Sequence, residues 1–143
     1  MAFKLGMEAQ LNYKVGGQDA VGSWIALGNA RDVTLSLETG EADVTTRANN
    51  GWRATVATLK EATVEFEMVW DTGDAGFTAI KDAFLTNVII GFQVLDSASG
   101  EGLQADFMIT GFSRSEALEE AITVSVTAKV TYSATAPSWI TPP

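Results

Sequence analysis

Ala62–Phe84 reads ATVEFEMVWDTGDAGFTAIKDAF, and its period changes half-way along. From Ala62 to Trp70, Val64, Phe66, Met68 and Trp70 share one face of an extended chain, and Thr63, Glu65, Glu67 and Val69 share the other. Successive side chains of a strand point to opposite sides, so this alternation describes a half-buried strand. Asp71-Thr72-Gly73-Asp74 is turn chemistry with an N-cap, after which Phe77, Ile80 and Phe84 recur at helical spacing. The spacing predicts a single helix over about 75–86.

Outward from this unit the pattern is strand after strand. Upstream, Leu5–Tyr13 alternates, Gly16-Gly17 marks a hairpin or bulge, Trp24–Leu27 is a short strand, and Arg31–Glu38 places Val33, Leu35 and Leu37 on one side. Downstream, Val88–Leu95 is apolar on both faces, as in a strand covered from two sides. Leu103–Phe112 alternates, Ser113–Ala121 is a helical turn or an acidic connection, and Ile122–Tyr132 is a long closing strand. The tail, Ser133–Pro143, holds all three prolines and no strand pattern, which describes an extended C-terminal arm with Trp139 as its anchor. Six or seven strands with short connections imply a mainly β fold: an antiparallel β-sandwich or flattened barrel with one flanking α-helix. One domain over 1–132 accounts for the 143-residue chain, with 133–143 as the arm.

Between two of these strands, Glu38–Glu61 (ETGEADVTTRANNGWRATVATLKE) fits neither period for 24 residues. Structureless loops beyond about 12–15 residues are uncommon in compact domains and usually carry function. At its centre lie Arg47, Asn49, Asn50, Gly51, Trp52 and Arg53. An indole between two guanidinium groups suits a sugar platform, a base-stacking site or a protein interface, where Trp and Arg dominate the binding energy, and the other reading is a tryptophan folded back onto its own domain.

Composition removes many chemistries. The chain has no cysteine and no histidine, so it has no disulfide, no thiolate metal site and no imidazole-dependent triad. A net charge of −9 repels nucleic-acid phosphates, and favours a protein partner for Trp52 over nucleic acid. No signal peptide and no apolar run of membrane-spanning length is seen, pointing to synthesis in a cytoplasm and no membrane partner.

Catalytic readings are weak. Glu65 and Glu67 lie roughly 6.5–7 Å apart on one strand face, within the range of paired-carboxylate hydrolases, but a solvated strand face explains them. Asp71, Asp74 and Asp96 lack the spacing of a calcium loop, and helix capping accounts for Asp74. Ser113 and Ser115 have no histidine partner. No enzyme, cofactor or metal is expected. A monomeric carbohydrate-binding β-sandwich, with Trp52 and Trp24 as platforms, is the alternative to a protein interface.

GNARDVTLSLETGEADVTTRANNGWRATVATLKEATVEFEMVWDTGDAGFTAIKDAF (Gly28–Phe84) resembles the major tail tube proteins of long-tailed bacteriophages and phage-like elements. GFSRSEALEEAITVSVTAKVTYS (Gly111–Ser133) resembles the family's closing strand. The resemblance implies a β-sandwich with a flanking helix, a fold shared with type VI secretion tubes, built into hexameric rings that stack as a hollow tube for DNA. It implies a place in the virion tail after synthesis in the bacterial host cytoplasm. Tape-measure, tail terminator and baseplate proteins are the implied partners besides further copies of the chain, and DNA passes without specific binding. The long loop would contact the adjacent ring through Arg47, Asn49, Asn50, Gly51, Trp52 and Arg53. For the lumen wall there are two candidates: Glu65 and Glu67, or the Thr/Ser face carrying Thr123, Ser125 and Thr127.

Overall fold

A computed structural model describes residues 5–98 and 100–141; the first four residues of the expected domain and the last two of the arm lie outside it. Eight strands and one helix follow in order. They are β1 (Gln10–Val15), β2 (Ile25–Ala26), β3 (Ala30–Asp43), β4 (Thr55–Val69), α1 (Ala75–Thr86), β5 (Ile90–Leu95), β6 (Gly102–Ser115), β7 (Thr123–Val130) and β8 (Ser138–Ile140). All pairings are antiparallel, in one sheet of order β2-β1-β5-β6-β7-β4-β3, with β8 added to β6.

The sheet curls into a half-barrel. Phe66 on β4 and Phe92 on β5 are separated by two strands in the sheet, yet their rings meet edge-on at 5.9 Å. Strand β6 makes the bend: Gly102–Phe107 pairs with β5, Phe107–Ser115 pairs with β7, and Phe107 belongs to both ladders. An irregularity between Ile109 and Gly111 sits just beyond. Such bulges raise local twist and turn strands round corners. The concave side holds the core: Tyr13, Val64, Met68, Phe92, Phe107, Val124 and Val126 are all buried there.

Helix α1 closes that core. Asp74 caps it, its Oδ2 accepting the Phe77 N–H at 2.9 Å, and Asn87 ends it in the left-handed conformation. Phe77 and Ile80 are buried; Phe77 packs edge-on against Trp70 at 4.8 Å and Phe112 at 6.2 Å. Phe84 stacks on Phe112 at 5.9 Å.

Several sequence expectations are corrected. Glu38–Glu61 is not structureless: β3 and β4 pair through Glu38↔Glu61 and Thr39↔Lys60 and, after a register shift between Thr39 and Glu41, from Glu41↔Ala57 to Asp43↔Thr55, leaving only 44–54 outside strands. The ladder is held by backbone pairing, and its side chains are exposed on both faces, so no burial alternation marks it. Leu5–Tyr13 is not one strand; Gly6–Glu8 forms a 3-10 turn and β1 starts at Gln10. Of the two alternatives for Ser113–Ala121, the acidic connection is found, beginning after β6 ends at Ser115 and holding a single turn in which the Glu120 N–H donates to the Ala117 carbonyl. The tail does contain a strand, since β8 pairs Trp139 with Leu103.

The convex face of β1, β5 and β6 carries a directed row of amides. Gln10 donates to Asn12 (2.6 Å), Asn12 to Gln93 (2.9 Å), Gln93 to Gln104 (2.7 Å), Gln104 to Gln18 (3.0 Å) and Gln18 to the Thr135 carbonyl (2.8 Å). Beside it the buried Asp106 carboxylate accepts the Gln18 backbone N–H and the Ser133 hydroxyl. Buried polar groups need partners, and here the residues after β7 supply them, fastening the start of the C-terminal arm to the body.

Candidate functional site

Three surfaces stand out once the fold is assembled. The first is the β3–β4 arm. Its last buried residue is Ala62; beyond it the two-stranded ribbon extends for about 20 Å at strand rise before the tip. Isolated two-stranded ribbons are marginal in water, and this one displays Leu37, Val56 and Leu59, the last 85% exposed.

The tip is well defined. The Val44 N–H donates to the Ala54 carbonyl at 3.0 Å, and the Thr45 hydroxyl accepts the Ala54 N–H at 2.9 Å. Hydrogen bonds from the Thr45 side chain and backbone hold the Asp43 carboxyl below the usual carboxylate value. Arg47–Asn49 makes a 3-10 turn, then Asn50 (φ 54°) and Gly51 (φ 85°) take left-handed backbone. Glycine and asparagine tolerate that region best. The reversal presents Trp52, 78% exposed, between exposed Arg47 and Arg53. The six tip residues expected to act together are therefore one contiguous knob.

The second surface is the convex face of β3, β4, β7 and the second half of β6. Register places Thr34, Glu65 and Thr127 in one row, Arg31, Glu67, Ser125 and Ser113 in the next, and Thr123 opposite Val69 and Ser115. The two alternative wall candidates, the glutamates and the Thr/Ser set, are thus neighbours on a single face. Arg31 pairs with Glu67 at 3.5 Å and Lys129 with Glu61 at 4.0 Å, both exposed. With Glu38 opposite Glu61, and Asp32 in one groove with Glu65 and Glu67, five carboxylates stand against two cations there.

The third surface comprises free strand edges. Strand β3 pairs only with β4, and Met108–Ser115 of β6 has β7 on one side and no strand on the other among the described residues. Thr55–Ala62 of β4 is likewise open on the side away from β3, because β7 pairs only with Thr63–Val69; β2 with two residues and β8 with three give shorter edges among the described residues. Trp139, 54% exposed, lies in a groove with Leu37, Ala62, Leu103 and Val130 at the arm's base.

Asp71, Asp74 and Asp96 each accept a local backbone N–H, from Gly73, Phe77 and Glu101, and no metal-binding cluster exists among the described residues. Trp24 is not part of the tip; Lys14 covers its ring at 5.4 Å. Sequence reasoning missed the amide row, the strand character of the arm and a cavity at the start of β3.

A family model described as phage tail tube protein matches residues 10–135. The chain belongs to the phage tail tube protein family. It is therefore a structural tail component, and the mainly β fold with one helix is the one expected. Solved structures share that fold. The tail of an empty gene transfer agent particle, refined with C6 symmetry, superposes with a TM-score of 0.77 at 20% identity, covering 96% of this chain and 99% of that one. The SPP1 tail tube gives 0.70 at 20% identity, covering 89% and 75%. The baseplate of an anti-feeding prophage gives 0.64 at 5% identity, covering 99% and 97%. No curated protein sequence matches the chain significantly.

Proposed function

We propose that this tail tube protein closes into rings by joining β3 of one copy to the second half of β6 of the next, and that six-fold rings stack into a conduit for DNA. The observation that carries this reading is strand parity. Within the half-sheet β3-β4-β7-β6 neighbouring strands alternate in direction. Four strands is an even number, so β3 and the second half of β6 run oppositely, and a copy rotated about an axis along them continues the antiparallel ladder. Edge strands left open are an aggregation hazard; a rotating head-to-tail contact that closes removes it.

Six-fold closure, as in the gene transfer agent tail, brings roughly 24 strands into one barrel. At about 4.8 Å between strands, tilted by up to ~45°, its backbone diameter is roughly 37–52 Å. The face carrying Glu65, Glu67, Ser125 and Thr127 would line that barrel, since the concave face is filled by the core and α1. A wall with more carboxylates than cations releases no phosphate counterions, so DNA would slide past without sticking. The arm would reach the next ring, an axial contact that never closes. By the same reading the subunit is made in the host cytoplasm and meets tape-measure, terminator and baseplate proteins at the tube and its ends.

Negative-stain imaging of the purified protein over a concentration series tests this. Hollow rings or tubes are the expected result. Single 15.2 kDa particles at every concentration contradict it and favour a monomeric binding module.

A further inference from the structure

We infer that Trp52 of one copy seats in the cavity at the β1–β3 end of an axially neighbouring copy, an inference that rests on the tube reading and assigns its ring-to-ring contact. The cavity is about 580 Å³. Its walls mix apolar side chains, Met7, Leu11, Leu27, Val33 and Leu95 among them, with the polar Gln10, Arg31 and Asp32. Met7 is 90% exposed. A pocket of this size holds an indole, and desolvated pockets filled by Trp are where interface energy concentrates.

Charge complements shape. Asp32 stands on the rim in the left-handed conformation (φ 52°), within an irregularity between Arg31 and Thr34. Non-glycine residues held there are strained and favour functional positions. Asp32 forms no ion pair among the described residues, whereas Arg31, which lines the same cavity, has its charge engaged by Glu67. Glu8 adjoins the wall residues Met7 and Ala9, and Asp96 adjoins Leu95. The tip brings the opposite sign: Arg47 and Arg53 flank Trp52 and are likewise unpaired among the described residues.

Polarity settles which copy. Cavity and tip lie at opposite ends of β3: from Asp32 to Asp43 the strand rises about 36 Å, with the tip beyond. A tip cannot reach its own cavity, but rings stacked with one polarity bring each tip to the cavity end of the next ring.

The chain has no cysteine, so a cross-link reports the contact cleanly. The variant Met7→Cys/Ala48→Cys places thiols at two exposed positions, one on the cavity and one on the tip. Assembled tubes treated with a short bismaleimide should give a ladder of subunit multiples. Either single variant, or Ala48→Cys with Leu85→Cys on α1, should give none. Trp52→Ala, assayed without thiols, should raise the critical assembly concentration more than tenfold, and Trp52→Phe should recover most of that loss. Tubes that form without the ladder, or a Trp52→Ala variant that assembles normally, overturn this seat and leave the tube reading standing. Wild-type protein that forms neither rings nor tubes overturns both.

Discussion

Excising Gly40–Leu59 and joining Thr39 to Lys60 through Asn-Gly yields a folded, ring-forming subunit that makes no tubes. Thr39 and Lys60 face each other in the ladder, so a two-residue turn can close the shortened hairpin. Nothing excised belongs to the hydrophobic core, whose first β4 member is Ala62. The melting temperature should therefore stay within a few degrees, as for other changes that remove no buried contact. Both ring edges survive the excision, since β3 keeps Ala30–Thr39 and β6 is untouched. Melting curves with imaging at matched concentrations check this. Loss of cooperative folding would mean that the arm packs on its own body, and normal tubes would mean that it plays no axial part.

The complementary change is Phe77→Ala, which should unfold what the excision spares. Phe77 is buried and bridges Trp70 and Phe112, so its ring joins α1 to β6 and to the end of β4. Truncating a buried Phe costs about 3–5 kcal/mol, cavity included. For a domain near this size each kcal/mol lowers the midpoint by about 2–4 °C, so a fall of roughly 10–15 °C is expected. Because domains hold only about 5–15 kcal/mol in total, assembly at elevated temperature should fail through lack of native subunit. Urea titration measures the loss directly; a cost under about 1 kcal/mol would show that the helix is not a structural plug.

The sequence made some of this legible for a physical reason. Helix α1 is readable because Asp74 has an N-cap's chemistry and Phe77, Ile80 and the half-buried Phe84 form a single core-facing stripe. Strand β4 was readable only from Ala62 onward, where burial alternates. Before that residue its side chains are solvent-exposed on both faces, and backbone pairing leaves no trace in side-chain pattern. Leu5 and Met7 misled for the opposite reason: they alternate like strand residues, but both are exposed and Met7 belongs to a cavity wall. The tip residues were found as a group because a Trp between two Arg is unusual chemistry wherever it falls. That the glutamates of β4 and the hydroxyls of β7 share one face, and that Gln10, Asn12, Gln93, Gln104 and Gln18 form a row, depends on register, which pairs residues far apart in sequence.

In a lone subunit the arm and the long edges are unfinished, and further copies complete them. Amide hydrogen exchange on dispersed and assembled protein measures this residue by residue. Fast exchange is expected in the dispersed subunit at the tip (44–54) and at the edge-facing amides of β3 and Met108–Ser115, with strong protection of the same sites after assembly. Protection already present in the dispersed subunit, or absent from the assembled tube, would contradict it.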